Sequence, residues 1–242
     1  MKKSLISWST GKDAAFSLLE LARKQKLPDL LVTNLNRSKK RVSMHGVREE
    51  LVRLQAQRLN IPLYLIDLDE NINMEDYIRI TRKHFSSLAK KGYETAFFGD
   101  IFLEDLKKFR IKEMQKAGME AAFPIWNKNT RELAVQIIDS GIKAVVTAVS
   151  GNKLDENFAG REFDLSFLKD LPPGVDWCGE NGEFHTFVYD HPLFSSPIPV
   201  KKGEKVFKKF KACTKKDSDY FDTQEKNKAW DTGFWYVDIY AG

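Results

Sequence analysis

The sequence is poor in cysteine and has no long apolar run. Cys178 and Cys213 are its only cysteines in 242 residues, which gives neither a disulfide framework nor a metal-ligand spacing. No apolar stretch approaches the ~18 residues of a membrane-spanning helix, so no membrane partner is expected. The basic start MKKSLISWSTGKDAAF has an apolar run too short for a secretory signal, broken by Ser, Thr, Lys and Asp. A reducing cytoplasm is the expected location. Neither sign of charge dominates: the net charge of +5 suits an anionic substrate and, equally, a lysine-rich surface. Repeats and low-complexity tracts are also missing.

Two familiar glycine loops are missing as well. There is no Walker A spacing and no G-x-G-x-x-G. What stands near the start is LISWSTGKDAAFSLL, Leu5–Leu19. An apolar run leads through Ser9-Thr10-Gly11 into a helix with Ala15, Leu18, Leu19 and Ala22 on one face. A strand, a glycine turn and a helix start together present unpaired N–H groups and a favourable dipole to an anion. Gly11 permits close approach, Lys12 is expected to add a mobile positive charge, and Asp13 is a candidate for Mg²⁺ or for capping.

Further along, Leu30–Leu35, Pro62–Leu68, Thr95–Phe98 and Ala144–Val149 read as buried strands. Helices follow from about Val47, Met74, Leu103 and Asn129. This alternation predicts an α/β fold, a doubly wound five-stranded parallel sheet over residues 1–150. Residues at strand ends of such a sheet face the ligand crevice. That makes Thr33, Asn34, Met44 and His45 candidates for an adenosine wall, and Gly99 and Asp100 candidates for nucleotide or metal contact. The pattern changes after Ser150, and a smaller α+β domain is expected over 151–242. Within it stand Glu180, Asn181, Gly182, Glu183, Phe184, His185 and Thr186, with three ionisable groups, Glu180, Glu183 and His185, inside six residues. Extended backbone would place Glu183 and His185 on one face, where a carboxylate can orient an imidazole. A surface hairpin turning at Asn181-Gly182 is the simpler alternative. From Lys201 to Lys216 eight lysines face one glutamate, which reads as a protected edge strand and leaves a nucleic-acid partner open. Phe234–Tyr240 reads as a final apolar strand on which a homodimer could form.

Ser9-Thr10-Gly11-Lys12-Asp13-Ala14 resembles the PP-loop of the ATP pyrophosphatases, Ser-Gly-Gly-x-Asp-Ser, with Thr10 in place of a glycine and Ala14 in place of the closing serine. Together with GDIFL (99–103), KLDENFAGR (153–161), DLPPG (170–174) and GENGEFHTFVYDHPLF (179–194), it resembles the diphthine–ammonia ligase family. The resemblance implies an adenine nucleotide alpha hydrolase-like domain and a smaller C-terminal domain, with the site in the cleft between them. It implies ATP and Mg²⁺, with ammonia and a carboxylic acid joined to an amide as AMP and pyrophosphate leave. The acid would be diphthine on an elongation factor or a small-molecule acid. Ser9, Thr10, Gly11, Lys12 and Asp13 would take the phosphates and Asp13 with Asp100 the metal. Glu180, Asn181, Glu183, His185 and Thr186 would face the substrate, with Lys12, Asp13, Glu183 and His185 catalytic. Members that act on diphthine read closer to Glu-Gly-Gly-Glu-Phe-Glu-Thr, so His185 removes a negative charge that a trimethylammonium group would favour. The competing readings are a tRNA-modifying PP-loop enzyme and a non-catalytic adenine-nucleotide sensor.

Overall fold

A computed structural model describes residues 2–70, 72–209 and 233–242. Its first sheet has six strands: β1 (Lys3–Ser7), β2 (Leu30–Asn36), β3 (Arg41–Val42), β4 (Leu63–Leu68), β5 (Tyr93–Phe97) and β6 (Glu120–Ala122). Five of them run parallel, in the order β4-β2-β1-β5-β6. The two-residue β3 is antiparallel to the end of β2, at Leu35 and Asn36. The sheet is therefore mixed, and its fifth parallel strand is β6. Residues 144–149, expected in that place, lie in the second sheet. β6 spans only three residues, too few to show a periodicity.

Successive residues of β1 enter opposite layers. Leu5 packs with Phe85, Leu88, Met114 and Ala117 from α3 (Met74–Ala89) and α4 (Glu104–Ala117). Ile6 packs with Leu18, Leu51, Val52 and Leu133 from α1 (Lys12–Arg23), α2 (Glu49–Leu59) and α5 (Thr130–Asp139). Helices thus cover both faces, which explains why these strands read as unbroken apolar runs. Helix ends obey local rules. Asn73 accepts the N–H of Asp76, Asn129 accepts those of Arg131 and Glu132, and Gly118 closes α4 at φ 82°.

The second sheet is antiparallel, in the order β8-β7-β10-β9. Its strands are β7 (Lys143–Ser150), β8 (Phe184–Asp190), β9 (Val200–Lys209) and β10 (Gly233–Ala241); α6 (Leu165–Asp170) lies between β7 and β8 in sequence. Val145, Phe184 and Phe187 belong to the same apolar core as α1 and α2, so the two sheets share one interior. β10 pairs with β7 through Phe234–Tyr236 on one side and with β9 along its length on the other. Among the described residues β9 is the sheet's outer edge, exposed and lysine-rich; the remainder of the 201–216 run lies outside them. Among the described residues no helix is long and apolar enough to cross a membrane.

Candidate functional site

In the parallel sheet the connections run outward one way from β1, through β2 to β4, and then return to β5 on its other side. The loops after β1 and β5 therefore meet at the reversal point, where open α/β sheets bind ligands. They touch: a Cβ on Gly99 would lie 3.0 Å from the backbone nitrogen of Ala14. This brings Gly99 and Asp100 against the start of α1.

Thr10 has φ 76°, in the left-handed region that a β-branched residue seldom adopts. Its hydroxyl is fully buried and has no hydrogen-bond partner. Gln55 holds the loop from below. Its Nε2 donates to the carbonyls of Thr10 (3.1 Å) and Val188 (2.6 Å), and its Oε1 accepts from the Trp8 indole (2.8 Å). Sequence reasoning missed Gln55. The available signal was an amide four residues after Leu51, on the inward stripe of α2.

β8 covers the loop. The Lys12 N–H donates to Thr186 Oγ1 at 3.0 Å, and the Val188 N–H to the Thr10 carbonyl at 3.0 Å. Lys12 is not the mobile charge expected of it: its side chain is 2 % exposed. Its ammonium bonds both oxygens of Asp13 (3.0 and 2.8 Å) and the Cys178 carbonyl (2.5 Å). It also lies 5.4 and 5.1 Å from the rings of Phe163 and Phe184. Burial opposes that charge, yet Asp13, Cys178 and Glu180 outweigh it and raise the Lys12 pKa.

The turn before β8 is organised by Glu183, which is buried and belongs to the turn rather than the strand. It accepts the N–H groups of Asp176 (3.2 Å) and Asn181 (3.0 Å) and the Asn181 amide (3.2 Å). It is therefore occupied in shaping the turn, and the His185 imidazole faces other rings. That ring faces His45, with centroids 4.7 Å apart, and Phe234 at 6.3 Å. Burial lowers both imidazoles, His45 to about 4 and His185 well below its usual value, so both are neutral at pH 7. Glu180 accepts the Ile101 N–H at 2.7 Å, which ties the second motif to the β5 loop. Burial and then the charges of Asp13 and Asp100 push its carboxyl up to about 8.

Other candidates sit further out. Thr33 is buried and its hydroxyl donates to the Trp8 carbonyl at 2.7 Å. Asn34 bonds the Tyr77 hydroxyl, and Asn181 is exposed. Met44 is 70 % exposed with φ 64°. Ser9 lies at the loop's entry, with its hydroxyl 3.4 Å from the Gly11 N–H. Asp100 faces Arg110 at 3.6 Å. Among the described residues no three His, Cys, Asp or Glu side chains are grouped to hold a metal. The carboxylates proposed for one are on Lys12 and Arg110 instead.

Residues 1–121 match the family model described as the diphthamide synthase N-terminal domain, and residues 129–218 match the diphthamide synthase C-terminal domain. The chain belongs to the diphthine–ammonia ligase family of PP-loop proteins. Among curated members, the diphthine–ammonia ligase of Bos taurus is 31 % identical over 110 residues, covering 43 % of this chain and 41 % of that one. The zebrafish (Danio rerio) ligase is 23 % identical over 226 residues, covering 82 % of this chain and 86 % of its own. The match thus spans under half the length of the bovine relative and most of the zebrafish one. A crystal structure titled as a predicted subunit of a tRNA methyltransferase, from Methanocaldococcus jannaschii, overlays with a TM-score of 0.42 at 16 % identity. It covers 82 % of this chain and 100 % of that one.

Proposed function

We propose that the chain is an ATP-dependent amide ligase. It adenylylates a carboxylate, releases pyrophosphate, and transfers ammonia to the activated acyl group with loss of AMP. One observation carries this reading: Lys12, through its N–H on Thr186 and its ammonium on the Cys178 carbonyl, joins the PP-loop to the second family motif 166 to 174 residues away.

The donor set suits a polyphosphate. A buried unpartnered hydroxyl, an α1 N-terminus and a buried ammonium adjoin one another at the switch point. Binding would draw the Lys12 N–H away from the Thr186 hydroxyl, which is free to rotate. Mg²⁺ would neutralise phosphate charge when bound, held by Asp13 and Asp100 once these leave Lys12 and Arg110. Ser9, Thr10, Gly11 and Lys12 serve the phosphates, with Gly99 and Met44 at the rim. Glu180 is the proton-handling group. Burial and the charges of Asp13 and Asp100 raise its carboxyl to about 8, so at pH 7 it is largely the neutral acid, and its ionised fraction, which grows with pH, is the form that takes a proton from ammonium. Glu183 keeps the turn in shape, Thr186 caps the loop, and His185 presents an uncharged ring. An uncharged ring gives no electrostatic preference for a trimethylammonium substrate, so a small-molecule acid is favoured over diphthine. We divide the chain into an ATP-binding part and a C-terminal substrate part, with the boundary drawn before β7 rather than after Ser150.

The tRNA-thiolation form of the second reading lacks its nucleophile within the described residues. Cys178 is buried, its thiol donates to the Thr130 carbonyl at 3.3 Å, and burial pushes its pKa up. Cys213 lies outside the described residues. The test is product analysis with ATP, Mg²⁺, ammonium and a panel of acids that includes a diphthine-bearing elongation factor. AMP and pyrophosphate that depend on one acid are expected. ADP and orthophosphate would overturn the reading, and tight binding with no cleavage under any acid would favour the sensor.

A further inference from the structure

His45 reaches the phosphate loop from a segment that a distant strand holds in place. A Cβ on Gly11 would lie 2.8 Å from His45 Cε1, so this ring is what packs on the loop's glycine. Its Nδ1 lies 3.1 Å from the Thr186 carbonyl, which only accepts. The hydrogen is therefore on Nδ1, and Nε2 carries the lone pair in the neutral ring.

The backbone around His45 is clamped from the second sheet. Its carbonyl accepts from Thr147 Oγ1 on β7 at 3.2 Å. The Tyr236 hydroxyl on β10 donates to the Met44 carbonyl at 3.4 Å, and the Tyr236 ring lies against Gly46, where a Cβ would meet it at 3.0 Å. Asp238, two residues on, takes Arg48 through two nitrogens (3.1 and 2.5 Å) and Arg41 at 2.9 Å. Arg41 also donates to the Gly46 carbonyl at 2.7 Å. A two-pronged arginine–carboxylate pair fixes geometry as well as charge. The left-handed φ of Met44 marks a segment kept in this shape by its surroundings.

We infer that His45 is a phosphate-facing residue of the nucleotide site, and that Asp238 on β10 is its positioning residue. The inference rests on the reading that the PP-loop binds ATP, and it adds a strand that lies beyond both matched segments, 1–121 and 129–218. The groups that face the ring are Lys12 from α1 and His185 from β8, while Arg41, Arg48, Asp238 and Tyr236 hold its backbone segment. Burial and the Lys12 charge keep the ring neutral without ligand. A polyanion on the loop offsets both, so Nε2 takes a proton and donates it to a phosphoryl oxygen.

The experiment is calorimetric binding of α,β-methylene-ATP with Mg²⁺ at pH 7, in two buffers of different ionisation enthalpy. It uses the wild-type chain, His45→Gln, Asp238→Ala, the milder Asp238→Asn, and the His45→Gln/Asp238→Ala double variant. Wild-type binding is expected to take up protons from the buffer. His45→Gln is expected to abolish that uptake and weaken affinity about tenfold, the scale of one charge-assisted hydrogen bond. Asp238→Ala is expected to weaken binding less, Asp238→Asn less again, and Asp238→Ala to add nothing in the His45→Gln background. Equal affinity and equal proton uptake in His45→Gln would overturn the inference while leaving the nucleotide reading intact. An Asp238→Ala effect of the same size in both backgrounds would overturn the positioning role. No binding by the wild-type chain would overturn the nucleotide reading, and this inference with it.

Discussion

The interior of each sheet and the seam between the two sheets are built on different principles. Inside the parallel sheet, β1 and its neighbours are held by apolar side chains such as Leu5, Ile6, Leu31 and Ile66, all fully buried. At the seam the apolar contacts of Val145, Phe184 and Phe187 are joined by polar pairs: Lys12 with Asp13, Gln55 on two carbonyls, Thr186 on an N–H, and His191 on the Ala15 carbonyl at 3.1 Å. Apolar burial is non-directional and would accept several alignments of the sheets. Buried polar groups accept only the alignment that satisfies them all. The seam thus fixes the loop and the second motif in one register, which is what a site assembled from residues 170 positions apart requires. It is also the place where single substitutions should cost most.

The largest effect is expected at the Lys12–Asp13 pair. Asp13→Ala leaves a nearly buried ammonium without its carboxylate, a loss of about 3 kcal/mol or more in denaturant unfolding. That variant therefore tests stability and catalysis together, and Asp13→Asn is the better probe of turnover. A loss no larger than that of a surface pair such as Lys202–Glu162 would contradict the account of the seam. Gln55→Leu comes next. It strands the Trp8 N–H and takes one donor from each of two carbonyls, Thr10 still accepting from the Val188 N–H, and a destabilisation of about 2 kcal/mol is expected. An apolar replacement that left the melting temperature unchanged would mean that the amide does not hold the sheets together.

The third effect is set by pH. His191 is buried, with Nδ1 accepting from the Leu193 N–H and Nε2 donating to Ala15, so the folded state keeps it neutral. Burial lowers its pKa from 6.5 to about 4. The unfolded chain binds a proton below pH 6.5 that the folded chain refuses. This stability is complete above pH 6.5 and is lost as pH falls from there toward 4, at up to ~1.4 kcal/mol per pH unit. His45 and His185 act in the same direction. Urea titrations between pH 7 and 4.5 should show the slope flatten in His191→Gln; an unchanged slope would assign it elsewhere. The smallest effect is expected at Thr10→Gly. Relief of ~1–2 kcal/mol of left-handed strain is offset by ~1 kcal/mol of unfolded-state freedom. A net gain below about 1 kcal/mol follows, and a clear loss would mean that the buried hydroxyl contributes to folding.

Much of the parallel sheet was legible because its strands are apolar runs separated by amphipathic helices. The misassigned strand has a physical reason: 144–149 is buried on both faces, like a parallel strand, and periodicity carries no information on which sheet it joins. The short β3 and β6 left no pattern to read. At the site, residue types marked the loop and the Glu180–Thr186 cluster, but not who pairs with whom. Asp13 pairs with its own neighbour, Glu183 serves the backbone, and His185 meets a histidine 140 residues away. Gln55 and Asp238 act through partners on other elements, which a linear pattern cannot reveal.

The central claim is that a carboxylate attacks the α-phosphate of ATP at the loop of Ser9–Asp13. Its most direct measurement uses the acid that supports turnover, labelled with ¹⁸O in its carboxylate, together with ATP and ammonium, and follows the phosphorus resonances of the products. The account predicts one ¹⁸O in AMP and none in pyrophosphate, because the oxygen that attacks leaves with the nucleotide when the amide forms. Label in orthophosphate with ADP as the nucleotide product would place the attack on the γ-phosphate and contradict it.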